Sequence, residues 1–353
     1  MRIFLTADPF LPVPPRLYGG IERVISLLID GLVARGHTVT LFAHRDSSPG
    51  CELIAYPRRG SGWVDSTVHA ALIAREASRR QPDIIQSFGR LAYLLPLLPT
   101  PVPKIMSYQR EVTPRTVARA LSLSRGTLSF TGCSHNLIAP VRHIGQWRVI
   151  YNAVSTETFA FVERVAPDAP LVFLGRIEHI KGTHVAIEVA QQTGRRLVIA
   201  GNVPDEPQHQ AYFRERIQPH VDGRSVDYVG PVDDEAKRRL LGSAAALLMP
   251  VLWDEPFGIV MAEALACGTP VIGLARGAIP EVVAHGSTGF VCNDTADMVS
   301  AVAALSSITR GKCRQDAEDR FSRSALVNAY ESLFRERLDP AHVNAALEST
   351  PHV

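Results

Sequence analysis

Short apolar runs alternate with amphipathic stretches along nearly the whole chain, and the alternation stops once and then restarts. Residues 3–7 read as a buried strand, 21–35 as a helix closed by Gly36, and 38–43 as the next strand. A helix at about 65–80 leads through Pro82 and Asp83 into strands at 84–88, 102–108 and 128–133. The polar segment 152–168 interrupts the series. Strands then return at 171–175, 196–200, 226–229, 246–251, 270–274 and 289–292, with helices at 183–193, 208–219, 233–242 and after Pro256. Strands separated by helices call for parallel pairing with both sheet faces covered. The expected fold is therefore α/β: two Rossmann-like, doubly wound parallel-sheet domains, residues 1–152 and 153–321, facing a central cleft. A last helix is expected at 322–338 and a tail at 339–353.

A length of 353 residues suits two such domains, and 46% hydrophobic with 20% charged residues is ordinary for a globular chain. The five cysteines are scattered without a CxxC pair, which argues for reduced thiols and a cytoplasmic setting. The first apolar run has five residues and meets Asp8 and prolines, unlike a signal peptide. No run approaches the roughly 20 apolar residues of a membrane span. Charge is uneven: residues 1–152 hold 18 Lys and Arg against 9 Asp and Glu, and the remainder holds 19 against 26. A basic first half suits an anionic partner, a phosphate-bearing acceptor or an acidic membrane surface, although arginine on exposed helix faces gives the same count. Arg110, Arg115, Arg119 and Arg125 surround an expected helix at 114–125, whose apolar residues Val117, Leu121 and Leu123 allow reversible surface contact at most. No nucleic-acid partner is expected.

In open parallel sheets ligands sit past the carboxyl ends of the strands, and the candidate residues fall at such ends. In 254–263 two carboxylates flank an expected helix start. Asp254 or Glu255 precedes it, Pro256 suits its first turn, Phe257 and Gly258 allow close backbone approach, and Ile259 opens the apolar run to Glu263. A helix N-terminus attracts anions, and a carboxylate accepts from two hydroxyls of a polyol. A core helix carrying two glutamates is the plainer alternative. At the end of the expected strand 171–175, Arg176 and Lys181 are two cations suited to a diphosphate. The segment from Tyr18 through Gly19 and Gly20 to Arg23 opens the first helix with paired glycines, in a loop without the GxGxxG spacing of a dinucleotide fold. That absence counts against an NAD-dependent dehydrogenase. Asp227–Val232, with Gly201 and Asn202, are strand-end loops able to meet a base through backbone groups.

Taken in order, GGIERV at 19–24, IYNAVSTETF at 150–159, GRIEHIKG at 175–182, YVGPV at 228–232, EPFGIVMAEALACGTPVIG at 255–273 and GSTGFV at 286–291 span nearly the whole chain. Together they resemble family 4 of the retaining glycosyltransferases with the two-domain GT-B fold. The resemblance implies a nucleotide diphosphate sugar as donor, bound mainly on the second domain. It places Arg176 and Lys181 on the diphosphate, Glu263 on the ribose, and Glu255 with the amides of Phe257 and Gly258 around the sugar. Gly19, Gly20, Gln109, Val232 and Ile259 are the further donor contacts. Arg176, Lys181 and Glu255 would carry catalysis by same-face departure and attack, without cofactor or bound metal. The last helix would cross back onto the first domain, and the enzyme would be cytoplasmic, at most peripheral at the inner membrane face. Two places depart from the family. Gln109, or by a one-residue shift Tyr108, stands where a histidine is common, and Ala153 and Ser155 replace Gly and Asp. The glutamine leaves open a changed donor sugar, a weaker enzyme, or a catalytically silent relative that binds a nucleotide or partner as a scaffold. His44, His135 and His179 are expected to be structural or solvated.

Overall fold

Ile3, Phe4 and Leu5 are all buried, so the first strand is covered on both faces, as an inner strand of a parallel sheet must be. The computed structural model describes residues 1–15, 19–60 and 62–339. Tyr18 of the first glycine loop and positions 340–353 of the expected tail lie outside them.

The chain divides into two units. One comprises residues 1–153 and the chain from Arg323 onward, and the other is Val154–Ser322. The first unit has strands β1 (Arg2–Thr6), β2 (Thr38–Ala43), β3 (Glu52–Ala55), β4 (Ile84–Ser87), β5 (Lys104–Tyr108), β6 (Leu128–Gly132) and β7 (Trp147–Val149). They form one parallel sheet in the order β3-β2-β1-β4-β5-β6-β7. Ile3 is paired with Val39 on one side and Ile84 on the other. The strand order reverses between β1 and β4, and this reversal opens a crevice at the carboxyl edge.

The helix Gly20–Ala34 buries Val24, Ile25, Leu28, Ile29 and Leu32, a stripe at helical spacing, each side chain contributing about 1.5–3 kcal/mol. The helix Arg323–Leu338 packs beside it. Arg35 and His37 both reach Glu331, at 2.5 and 3.1 Å, and Tyr330 meets Phe88 edge-on.

The second unit repeats the plan with β8 (Leu171–Leu174), β9 (Leu197–Ala200), β10 (Val226–Tyr228), β11 (Ala246–Met249), β12 (Val271–Leu274) and β13 (Gly289–Cys292). The order is β10-β9-β8-β11-β12-β13, all parallel, with the reversal between β8 and β11. Its core joins Leu171, Phe173, Ile187, Leu197, Ile199 and Leu248.

Several boundaries differ from expectation for local reasons. Strands β3 and β7 carry no long apolar run, being only four and three residues long, and escape a periodicity reading. The helix expected at 208–219 is α-helical only over Pro207–Tyr212. It widens at Phe213–Ile217 and tightens at Gln218–His220, where Pro219 lacks the N–H to continue. The helix expected at 114–125 is Pro114–Leu123, capped by Thr113. The helix expected at 322–338 begins at Arg323 and is preceded by a separate helix, Arg310–Phe321, with the extended Ser322 between them.

Candidate functional site

The reversal between β8 and β11 sends two loops outward from neighbouring strands, and the second unit's main candidates ride on them. After β8 the chain passes Arg176 and Glu178, makes a tight turn at His179–Lys181, and enters the helix Thr183–Thr193. After β11 it runs through Trp253, Asp254 and Glu255 to the helix Ile259–Ala266. A backbone bond from Leu252 N–H to Ile180 C=O, at 2.8 Å, ties the loops together.

That tie brings Lys181 and Glu255 into contact. The lysine Nζ donates to Glu255 Oε2 at 2.6 Å, and both side chains are largely buried. Trp253 Nε1 donates to the same oxygen at 3.2 Å, and its ring lies 4.7 Å from the ammonium. A cation and a carboxylate held at a strand-end seam can each be exchanged onto a ligand: phosphate oxygens for the lysine, hydroxyls for the glutamate. Arg176 pairs with Glu178 at 2.7 Å and remains partly exposed.

The helix near Glu255 starts later than Pro256 suggested. Gly258 caps it with φ 73°, a left-handed conformation that only glycine adopts freely, so Pro256 and the buried Phe257 precede the helix and Ile259 is its first residue. Phe257 meets Phe321 edge-on at 5.7 Å. Glu263 is 4% exposed, and its Oε1 accepts from Lys237 Nζ at 2.5 Å. Lys237 comes from the helix Asp234–Ser243 and also lies over the Phe159 ring. Val232, half-buried, follows a turn where Gly201 N–H bonds Gly230 C=O at 2.8 Å.

Gly19, Gly20 and Gln109 belong to the first unit. Gly19 precedes the helix that Gly20 opens. Gln109 Oε1 accepts from Asn152 Nδ2 at 2.8 Å, which fixes the amide's orientation. Of the histidines set aside above, His44 accepts from the Asp46 N–H and is held low by burial, and His179 stacks on His184.

The sequence reading missed Trp253, Lys237 and Gly277. A Cβ on Gly277 would stand 2.3 Å from both the N and O of Glu255, while Ala278 N–H donates to Glu255 C=O at 2.8 Å. The loop after β12 therefore fixes the Glu255 backbone. The only sequence signal for it is a glycine in the expected strand-end loop of 275–278. Among the described residues no helix is long and apolar enough to cross a membrane.

Two doubly wound units, the second with a cation–carboxylate pair at its reversal, have the architecture of a GT-B glycosyltransferase. The comparisons agree. Residues 155–325 match the family model described as glycosyl transferases group 1, and residues 18–158 match that of glycosyltransferase family 4. The chain is 30% identical to the glycogen synthase of Mycobacterium tuberculosis over 94% of this chain and 91% of that one. The crystal structure of AviGT4, a glycosyltransferase involved in avilamycin A biosynthesis, superposes with TM-score 0.73 at 25% identity, covering 96% of this chain and 98% of that one. Anabaena HepE in complex with UDP and glucose shares the fold, with TM-score 0.72 at 17% identity over 95% and 100% of the two chains. The chain belongs to glycosyltransferase family 4 and is an enzyme of glycosyl transfer.

Proposed function

We propose that the enzyme takes a sugar from a nucleotide diphosphate sugar and transfers it, with retention of configuration and without a bound metal, to an acceptor hydroxyl. The observation that carries this reading is the Lys181–Glu255 pair at the β8–β11 reversal. The diphosphate takes Lys181 from Glu255 and also engages Arg176, whose guanidinium is 42% exposed. Glu255, released, accepts from hydroxyls of the sugar, with the Phe257–Ile259 backbone beside it. Glu263 receives the ribose hydroxyls on the carboxylate that Lys237 holds in place, and Val232 lines the base. Within the first unit, Gln109 is fixed by Asn152 and has an N–H₂ but no charge to offer a hydroxyl-bearing ligand, and Gly19 and Gly20 open its first helix.

In the transfer, the bond from the sugar's anomeric carbon to the leaving phosphate oxygen breaks as the bond to the acceptor oxygen forms on the same face. The acceptor's proton passes to the departing diphosphate, and Arg176 and Lys181 stabilise the charge that gathers there. The solved structures of this fold include HepE with UDP-glucose and Arabidopsis starch synthase IV with ADP and acarbose, which supports a nucleotide donor. Five free cysteines, four of them buried, support a cytoplasmic setting.

The test is thermal shift with UDP, GDP, ADP and dTDP in chelator, followed by the anomeric configuration of the product by NMR. A folded-state ligand raises the midpoint with occupancy. One nucleotide should do so in the wild type and fail in Lys181→Ala. No shift with any of the four, or an inverted product, would overturn the reading.

A further inference from the structure

The first unit has its own reversal, between β1 and β4, and the function above leaves its chemistry unused. Three neighbouring strand ends supply it: Asp8 follows β1, Arg90 follows β4 and Arg110 follows β5. Asp8 is 9% exposed; its Oδ2 accepts from Arg110 Nη2 at 2.8 Å, and its Oδ1 lies 3.9 Å from Arg90 Nε. Among the described residues that Oδ1 and that Nε are buried with no hydrogen-bond partner. A guanidinium carries five donors, yet among the described residues the Arg110–Asp8 bond is the only side-chain hydrogen bond either arginine makes. The two side chains are 39% and 61% exposed, so their donors other than the buried Arg90 Nε and the Arg110 donor bound to Asp8 are open to a ligand.

One carboxylate thus orients two arginines without satisfying them. Two other groups face the cluster. Glu22, from the helix Gly20–Ala34, is buried, and burial and then Asp8 raise its pKa, against its own backbone hydrogen bond and Arg110. Among the described residues the Tyr93 hydroxyl is buried without a partner, and burial and Asp8 push its pKa up. The two under-satisfied guanidinium groups sit where a doubly wound sheet receives its ligand, in the half of the chain with 18 Lys and Arg against 9 Asp and Glu.

We propose that this seam is a phosphate site, with Arg90 and Arg110 gripping a phosphate group of the acceptor and Asp8 holding the two guanidinium groups in position. Paired forks of N–H donors match phosphate oxygens better than any neutral hydroxyl. The word acceptor rests on the transfer reading above, while the phosphate site stands on its own geometry. The phosphate belongs either to a soluble ester or to a lipid headgroup.

The two sources and the two readings separate in one experiment. Arginine modification by phenylglyoxal is followed residue by residue by peptide mass spectrometry, in the full chain and in Lys181→Ala, at constant ionic strength. Arg239, paired with Glu235 on an exposed helix face, is the internal control. Inorganic phosphate and glycerol 3-phosphate should slow modification of Arg90 and Arg110 about tenfold at ten times the half-protecting concentration, as simple occupancy requires. Arg239 should be unaffected and Lys181→Ala should behave alike. Protection by phosphatidylglycerol vesicles and not by the soluble esters would support the site and assign it to a headgroup. Protection equalled by chloride, or none from any probe, would overturn the proposal. Loss of the nucleotide thermal shift would count against the transfer reading alone, because this readout involves no nucleotide.

Discussion

Replacing Lys237 with methionine keeps most of the side-chain volume and removes the only cation within 4 Å of the Glu263 carboxylate among the described residues. The pair is nearly dry, with side-chain exposures of 13% for Lys237 and 6% for Glu263, at an N–O distance of 2.5 Å. At an effective dielectric of about 20, unit charges at that separation attract by about 6–7 kcal/mol. The cost of desolvating both ions offsets much of this attraction. With the lysine gone the attraction vanishes while the carboxylate's desolvation remains, and the expected destabilisation is about 3–5 kcal/mol. Asp234, the lysine's other neighbour at 3.8 Å, is 40% exposed, so water serves it and it adds little.

The assay is hydrogen exchange of the helix Ile259–Ala266, which reads the second unit separately, in wild type, Lys237→Met and Lys237→Met/Glu263→Leu. The single variant should lose protection by a factor matching that energy, about 10² or more. The double variant should recover much of it, because no buried charge remains. A single-variant loss below about 1 kcal/mol would refute the argument that the buried Glu263 carboxylate depends on its pairing with Lys237.

Two further outcomes test other parts of the chain. Lys104 is buried in β5 with its Nζ 2.8, 3.2 and 2.7 Å from the carbonyls of Leu97, Leu98 and Thr100, and burial pushes it down to about 7 from 10.5. Between those values the unfolded chain keeps a proton that the folded chain has released. Relative to Lys104→Met, wild-type stability should therefore rise with pH from about 7 upward, by at most about 1.4 kcal/mol per unit. The same stability difference between wild type and Lys104→Met at pH 7 and pH 9, from denaturant titrations, would contradict it. Gly277→Ala places a methyl against the Glu255 backbone at a φ of 57°, so the nucleotide-induced thermal shift should fall sharply while circular dichroism is retained. An unchanged shift would mean that the Glu255 loop yields at no cost.

The alternation of apolar runs with helical stretches made most of the strands and both parallel sheets legible, because strands buried on both faces are mostly apolar. The short edge strands β3 and β7 lack that requirement and were not legible. Position along a strand end was enough to nominate Arg176, Lys181 and Glu255. Their partners were not readable, because a partner depends on which loops the sheet order brings to one seam. Lys237 looks like one more lysine on a polar helix until Glu263 is buried against it. Arg310 looks exposed until its guanidinium meets the carbonyls of Val162, Ala244, Gly242 and Cys267. The late start after Pro256 follows from Gly258, whose positive φ outweighs the proline's preference for a first helical turn.

Because the helix Arg323–Leu338 belongs with residues 1–153, the second unit is an insertion within the first. During synthesis the first unit's seven strands leave the ribosome long before the helix that finishes it. Until then Phe88, Ser107 and Thr131 lack Tyr330, and Arg35 and His37 lack Glu331. At about 5–20 residues per second, the roughly 170 intervening residues impose a wait on the order of 10 s or more. The second unit is continuous and can fold as soon as it emerges. The first unit, though made first, is completed last, and a truncation that removes only the final helix strikes the amino-terminal half of the enzyme.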